Sequence, residues 1–549
     1  MKPKSSNGAN VELTQESHVD KELGRLSSDT EDVEAKSGPV ASLVTYWRYM
    51  LDQPLITPAV LGWDYQGSGS EADPYVVTWI DSDPRNPMDL SSMMKAVITA
   101  IVAILTLAVA LISSTYAGCI DQIMQDFHVG DEVATLGIAL YVLGFAVGPM
   151  LWAPFSETQG RQVILCFTYG CFVAFNGGTI ASQNIQTMII LRFFSGVFSA
   201  STLTNTGGVI SDIYPVNKRG LAMGLFAVAP FIGPVFGPII GGFLGAAGGW
   251  RWVQALVTIF SAILWVIAVL VIPETYAPVL LRKRAAKLSE MTGKSYRSRY
   301  DISRGKSYSF KEELKTALVR PWQLMLYEPI VIFLSLYMSI VYGILYMFFA
   351  AIPIVYQEHR GWNSGQSGLA FLGIAVGMII ALIVCIPENG RFARRAAERG
   401  GENPPEERLI IAMYGSFCIP GGLFWFAWTN FPSVHFMASI AAGVPFGFGL
   451  VLIFISIKNY LVDSYTVFAA SALAATVIMR SCFAAAFPLF TTYMFHGIGI
   501  HWASSIPAFL SLLCAPLPFL FYKWGPRIRA RCRYSAEAEE LKKQMMAHK

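Results

Sequence analysis

The amino-acid sequence predicts an all-α polytopic membrane protein, with twelve transmembrane helices arranged as two six-helix halves. Three observations carry this expectation. The chain of 549 residues is 54% hydrophobic and 14% charged, with a mean hydropathy of +0.47, whereas soluble domains are about 25% charged. Twelve apolar runs of about 20 residues follow one another, the length a helix needs to cross a bilayer. A polar stretch, PETYAPVLLRKRAAKLSEMTGKSYRSRYDISRGKSYSFKEELKTALVRPW, falls between the sixth and seventh runs and divides six from six.

In chain order, residues 1–94 precede the first span. They hold no apolar h-region, so no cleavable signal peptide is expected. Their Ser-rich, mixed-charge composition predicts disorder to about residue 72. Within them SLVTYWRYMLDQP reads as a short amphipathic helix with Leu43, Trp47 and Met50 on one face, placed on the inner leaflet or as a cytosolic cap. The first half covers 95–273, with spans near 95–114, 133–153, 163–183, 187–208, 222–245 and 253–272. A cytoplasmic central loop takes 274–326. The second half covers 327–522, with spans near 328–349, 366–386, 408–428, 434–457, 466–494 and 503–522, and leaves a tail at 523–549.

Charge sets the orientation. Basic residues fall in the even-numbered loops: Arg161, then Lys218 and Arg219, then Arg282, Lys283 and Arg284, then Arg391, Arg394, Arg395 and Arg399, and Lys458. The odd loops carry few, Arg251 and Arg360 being the exceptions. The positive-inside rule then places both termini and the central loop in the cytoplasm. The net charge of +4 gives no support to nucleic-acid binding, and eight cysteines without CxxC spacing read as small hydrophobes.

The fifth run contains GPVFGPIIGG, although Gly costs about 1 kcal/mol and Pro about 3 kcal/mol in a helix interior. Gly233, Gly237 and Gly241 recur every four residues and form one smooth stripe where backbones approach closely. Pro234 and Pro238 remove donors and kink the helix. The expectation is a pivot packed against a helix of the other half; the alternative is a tight packing face alone. Two charges lie well inside spans, Arg192 in the fourth and Arg480 in the eleventh, and intramembrane charges are costly and usually functional. Arg480 reads better as a snorkelling or statically paired residue. No Asp or Glu sits mid-membrane. A proton-carrying carboxylate is therefore expected at a helix end, from Glu157, Asp212 or Asp463 inside or Asp121, Asp131 or Glu132 outside. Arg192 and Asp212 lie about 30 Å apart along one helix at 1.5 Å per residue, so Arg192 is expected to pair with an outer acid. Asp212, Glu157 and Arg161 would then form a separate gating cluster. Tyr337, Tyr342 and Tyr346 in the seventh span and Phe483, Phe487 and Phe490 in the eleventh offer aromatic faces for an apolar ligand, with Asn176, Thr202 and Asn205 as polar groups to orient it.

An enzyme fits poorly. There is no GxxxxGK[ST] and no HExxH, and the seven histidines are scattered. Two six-helix halves instead indicate a transporter built from repeats, with its substrate site at the midplane between them. A faint internal echo supports this: SETQGRQ follows the second span and PENGRFARR the eighth.

These residues resemble the major facilitator superfamily. GPVFGPIIGG matches its antiporter motif, with Gly233, Gly237, Pro238, Gly241 and Gly242 in place. APFSETQGR is similar to the loop after helix two, with Gly160 and Arg161 kept, Glu157 for the usual Asp, Thr158 for an Arg and Ala153 for the first Gly. LRFFSGVFSAS supplies Arg192 and Gly196 of an R-x-x-x-G element. VTWIDSDPRNPMDLS, SDIYPVNKRG and VIPET look like the fungal twelve-helix drug:proton antiporters, a resemblance covering roughly 75–530. It implies proton-coupled efflux of small hydrophobic or amphipathic compounds such as drugs, toxins or secondary metabolites. It favours Arg192 and Asp212 for proton coupling. The implied partners are the substrate, protons and the lipid bilayer of the plasma membrane, around a monomer with no cofactor and no nucleic acid. Export of organic acids or polyamines is an alternative, as is proton-coupled uptake, although PETYAPVL here differs from the PESPR-like end of helix six in sugar-uptake relatives.

Overall fold

Twelve helices long and apolar enough to cross a membrane run through the described residues. The computed structural model describes residues 46–215, 220–303, 310–399 and 403–547. The spans are Ser92–Phe127, Asp131–Gln159, Arg161–Ile180, Ile185–Ile213, Ala222–Gly248, Trp250–Val271, Pro329–Glu358, Ser364–Phe392, Pro405–Trp428, Phe436–Tyr465, Ala469–Ile498 and Ile500–Arg531. The chain is therefore a multi-pass, all-α membrane protein. Lys218 and Arg219 lie outside the described residues, as do Leu43 and the rest of the first 45.

Packing exposes an internal repeat that the sequence only hints at. The first span packs on the fifth, the second on the fourth, and the third on the fourth and sixth; six positions later, the seventh packs on the eleventh, the eighth on the tenth, and the ninth on the tenth and twelfth. The two seams between the halves, second with eleventh and fifth with eighth, exchange under the same shift. The seventh span is 83% buried over its most apolar window, whereas the third and sixth are 39% buried. Large apolar side chains such as Phe167, Ile259 and Ile263 are exposed on those peripheral spans, which is the face lipid must cover.

The polar ends are built differently from the sequence expectation. Residues 54–85 fold onto the linker rather than remaining disordered to 72. Ile56, Val60, Tyr65, Val77 and Ile80 pack against Leu281, Ala285 and Leu288 of a linker helix, Ala277–Thr292. Those three residues share one helical face, and Gly293 ends the helix in the left-handed region at φ 69°. Strand β1 (Tyr75–Val77) pairs in parallel with β2 (Tyr296–Ser298). Asp83 and Arg284 form a buried two-pronged ion pair at 2.5 and 3.1 Å. The short helix Tyr46–Leu51 buries Met50 but exposes Trp47, so the two do not share a buried face.

Two readings of the even loops change. Lys458 is not in a loop: it lies inside the tenth span, two turns before its end at Tyr465. PENGRFARR is helical, within Leu372–Glu398, where Arg391 meets Glu388 at 3.0 Å. Its counterpart in the first half is broken by Gly160 at φ 107°. The two odd-loop exceptions are spoken for: Arg251 meets Asp126 at 2.8 Å, and Arg360 donates to the carbonyls of Phe431 and Val434.

Candidate functional site

One polar cluster sits where the second, third and fourth spans meet the linker. Gly160, between the second and third spans, has a left-handed φ, and a Cβ there would stand 2.7 Å from Glu274 Cδ. That clearance lets the Glu274 carboxylate seat itself on the N-terminus of the third span. It accepts from the backbone N–H of Arg161 (2.9 Å), Gln162 (3.2 Å), Thr275 (2.9 Å) and Tyr276 (2.9 Å). A carboxylate at a helix N-terminus satisfies donors that otherwise lack partners. Burial pushes the Glu274 carboxyl above its ordinary value, against those four donors that pull it down. Arg161 reaches the other way, 3.6 Å from Asp212 Oδ2 at the end of the fourth span, and donates to Ser156 Oγ at 2.6 Å. Thr275 Oγ1 approaches the same Asp212 oxygen at 3.4 Å. Buried Arg85 donates to the Glu274 carbonyl at 3.1 Å and ties the N-terminal segment to the cluster. Arg161 and Asp212 thus meet as expected, with Glu157 half-buried one turn before Arg161. Glu274 is the member that sequence reasoning missed. The available signal was VIPET, read only as a family mark.

Arg192 departs from expectation. It is fully buried among the first, second and fourth spans and meets no carboxylate among the described residues. Its Nε donates to the Gly137 carbonyl at 2.6 Å, and its Nη2 lies 3.5 Å from the Ser113 carbonyl. The guanidinium lies over the rings of Tyr116 (4.2 Å) and Tyr141 (5.1 Å). Asp131, one expected partner, instead accepts from Thr492 of the other half at 2.8 Å. Aromatic faces and carbonyls take the place of the acid, which suits a planar cation that cannot shed its proton. Asp463 is likewise engaged, by Arg408 at 2.9 Å.

The fifth-span stripe also faces another way. A Cβ at Gly233 would stand 2.7 Å from Leu111 N, and one at Gly237 would stand 2.8 Å from Thr115 N. Gly241 closes on Thr115 and Gly118. All of these belong to the first span, in the same half. The smooth stripe therefore knits the first half internally, because span one presents its own small residues there. Ser114 donates to the Gly233 carbonyl (3.3 Å), Cys119 to that of Gly241 (3.2 Å) and Gln122 to that of Gly245 (2.8 Å). Such donors re-satisfy a helix interrupted by proline. The face towards the other half is carried by Gly242 and Pro238. A Cβ on Gly242 would stand 2.7 Å from Ser364 C, and one on Gly368 would stand 2.8 Å from the Pro238 carbonyl oxygen.

Between the halves lies an aromatic junction. Phe231 of the fifth span meets Phe454 of the tenth at 4.9 Å and Tyr342 of the seventh at 6.4 Å. Tyr342 packs on Tyr346 at 5.1 Å, and Tyr346 shares a hydrogen bond of 3.1 Å with Ser113 across the halves. Of the expected lining residues, Tyr342 and Tyr346 are here. Phe487 packs on Gly343 beside them and on Phe483 at 5.8 Å. Tyr337 is not: it is fully buried about 140° round the helix from Tyr342, at 100° per residue. Asn205 is buried and donates to Ser201 of its own helix at 2.9 Å. Arg480 and Lys458 also stand at the junction, where Arg480 is neither snorkelling nor paired. It is 4% exposed and forms no ion pair among the described residues.

Residues 102–488 match the family described as Major Facilitator Superfamily. The chain is 56% identical over 507 residues to "MFS-type efflux pump MFS2" of Trichophyton rubrum, covering 92% of this chain and 85% of that one. It is 56% identical over 502 residues to "Major facilitator superfamily multidrug transporter mdrA" of Aspergillus fumigatus, covering 91% and 82%. It is 48% identical over 485 residues to "Major facilitator-type transporter sorT" of Penicillium rubens, covering 88% and 92%. Among solved structures, the proton:xylose symporter XylE bound to 6-bromo-6-deoxy-D-glucose shares the fold, with a TM-score of 0.57 at 13% identity over 79% of this chain and 97% of that one. The chain therefore belongs to the major facilitator superfamily, in the fungal group that includes these efflux pumps.

Proposed function

We propose that this protein exports small hydrophobic or amphipathic compounds across the plasma membrane by alternating access, driven by inward movement of protons. Both termini and the linker then lie in the cytoplasm. It acts as a transporter rather than an enzyme. The observation that carries the reading is the junction itself, where aromatic rings from both halves meet and Ser113 of one half shares a hydrogen bond with Tyr346 of the other. Rocking the halves about the second–eleventh and fifth–eighth seams would open that junction to each side in turn. The names of the relatives, efflux pump and multidrug transporter, support export over uptake. Arg161, Asp212 and Glu274 at the linker face form the gating cluster, and Arg192 holds three helices of the first half in register. The test is the accumulation of a labelled hydrophobic toxicant in cells with and without the protein. Accumulation should fall with the protein, and a protonophore should restore it. Efflux that follows ATP and ignores the proton gradient overturns the mechanism.

A further inference from the structure

Among the described residues, the junction holds two cations and no counter-charge. Lys458 Nζ stands 5.8 Å from the Phe231 ring centroid and 5.9 Å from that of Phe454. Arg480 Cζ stands 4.9 Å from the Tyr342 centroid and 6.0 Å from that same Phe454. Sharing one ring places the two charges within about 12 Å of each other, the sum of their distances to it. Arg480 Nε and Nη1 are buried without a hydrogen-bond partner among the described residues. The charged neighbour of Lys458 is Arg480 itself. Neither makes an ion pair among the described residues, whereas Arg161, Arg284, Arg408 and Arg529 each do.

A buried cation facing another cation is costly, and a protein retains such an arrangement where something arrives to offset it. Aromatic faces recover part of that cost. What they leave over is two positive charges beside flat rings, at the boundary between the halves. Phe231 belongs to the half opposite Lys458 and Arg480, so separating the halves would uncover both charges together.

From this geometry we infer that the junction recognises amphipathic aromatic anions, holding a carboxylate or an equivalent acidic group between Lys458 and Arg480 while the ring system stacks among Phe231, Tyr342 and Phe454. The inference rests on the export reading and narrows its substrate class. Arg480 supplies the planar fork for two carboxylate oxygens, and Lys458 supplies a flexible point charge. Polyamines and other cations are repelled by the same pair.

The test uses three probes of one shape, 2-naphthoate, 2-naphthamide and 2-naphthylmethylammonium. Their binding to the full-length protein in lipid nanodiscs is measured by calorimetry. Naphthoate should bind about ten-fold more tightly than the amide, with the ammonium weakest, as expected for a carboxylate met by a charge-assisted pair. Lys458→Gln and Arg480→Gln should each remove most of that preference, leaving the amide unchanged, and Arg480→Lys should restore part of it. Unliganded melting temperatures check the fold; should Arg480→Gln unfold, Lys458→Gln, at a less deeply buried position, carries the test alone. Equal binding of naphthoate and naphthamide, preference for the ammonium, no binding of any probe, or an intact preference in Lys458→Gln overturns the inference. Export is scored separately, from accumulation in cells. If both neutral and acidic probes are exported but bound equally, the anion site falls and the export reading stands. If the carboxylate is bound preferentially while accumulation ignores the protein, the export reading falls and the anion site stands.

Discussion

Replacing Gly242 with alanine should push the two halves apart at the face opposite the linker while leaving the first half intact. The new Cβ would stand 2.7 Å from Ser364 C and 2.9 Å from Gly365 Cα. Both are backbone atoms of the eighth span, so a rotamer change cannot relieve the overlap; the span itself must move. Overpacking of this kind costs about 1–3 kcal/mol. Where that cost falls on one conformation and not the other, it changes their ratio about 5- to 150-fold. The matched control is Gly237→Ala. Its Cβ would overlap Ser114 Oγ and stand 2.8 Å from Thr115 N, both within the same half. Its cost falls on every conformation that keeps the first and fifth spans together. Pulsed electron–electron resonance between spin labels at the exposed positions Gln125 and Met437, in a cysteine-free background, reads the separation of the halves at that face. Gly242→Ala should raise the long-distance population with little change in melting temperature. Gly237→Ala should lower the melting temperature with little change in distances. Unchanged distances in Gly242→Ala, or the larger distance shift in Gly237→Ala, would refute the assignment of the two glycine faces.

Three further outcomes are expected. Arg192→Lys keeps a charge but loses the planar stack on Tyr116 and the bridge to two carbonyls, so it should melt at about 1–3 kcal/mol less stability and transport weakly. Arg192→Ala, which loses both the carbonyl and the ring contacts, should lower the melting temperature further than Arg192→Lys and lose transport with it, and wild-type stability in Arg192→Ala would leave the residue no part in holding the three spans together. Glu274, raised above its ordinary carboxyl value by burial, contributes stability that is present in acid and lost as pH rises through its folded value; the melting-temperature difference between wild type and Glu274→Gln should therefore shrink as pH rises above the ordinary carboxyl range, and a difference that grows reverses the sign of the account. Epitope tags at the N-terminus, at residue 300 and at the C-terminus should be inaccessible from outside intact cells, and external labelling of the tag at 300 contradicts the proposed orientation.

The spans were legible in the sequence because the bilayer demands about 20 apolar residues in a row and little else. Their faces were not. A stripe of Gly233, Gly237 and Gly241 announces close approach, but only the small residues Ser114 and Gly118 of the first span reveal which neighbour accepts it. Lys458 was assigned to a loop because a charge normally marks the end of a span; the rings of Phe231 and Phe454 keep it inside one. The strand pair at 75–77 and 296–298 was invisible because each strand is three residues long and its partner lies more than two hundred residues away. Glu274 escaped for a similar reason: the backbone it caps, at Arg161 and Gln162, is more than a hundred residues upstream. Arg161 with Asp212 was reachable because both lie at span ends that a six-helix half must bring to one face. The pairing of Arg192 was misread because aromatic rings, unlike acids, do not stand out as partners for a charge.

The most direct test of the central claim is proton flux in sealed proteoliposomes containing only this protein, monitored by an internal pH-sensitive dye. Adding a transported compound to one side, with no imposed gradient and no ATP, should drive proton movement in the opposite direction. The flux should saturate with the compound and be absent from liposomes without the protein. Substrate movement with no accompanying proton flux, or proton flux in the same direction as the compound, would contradict proton-coupled export.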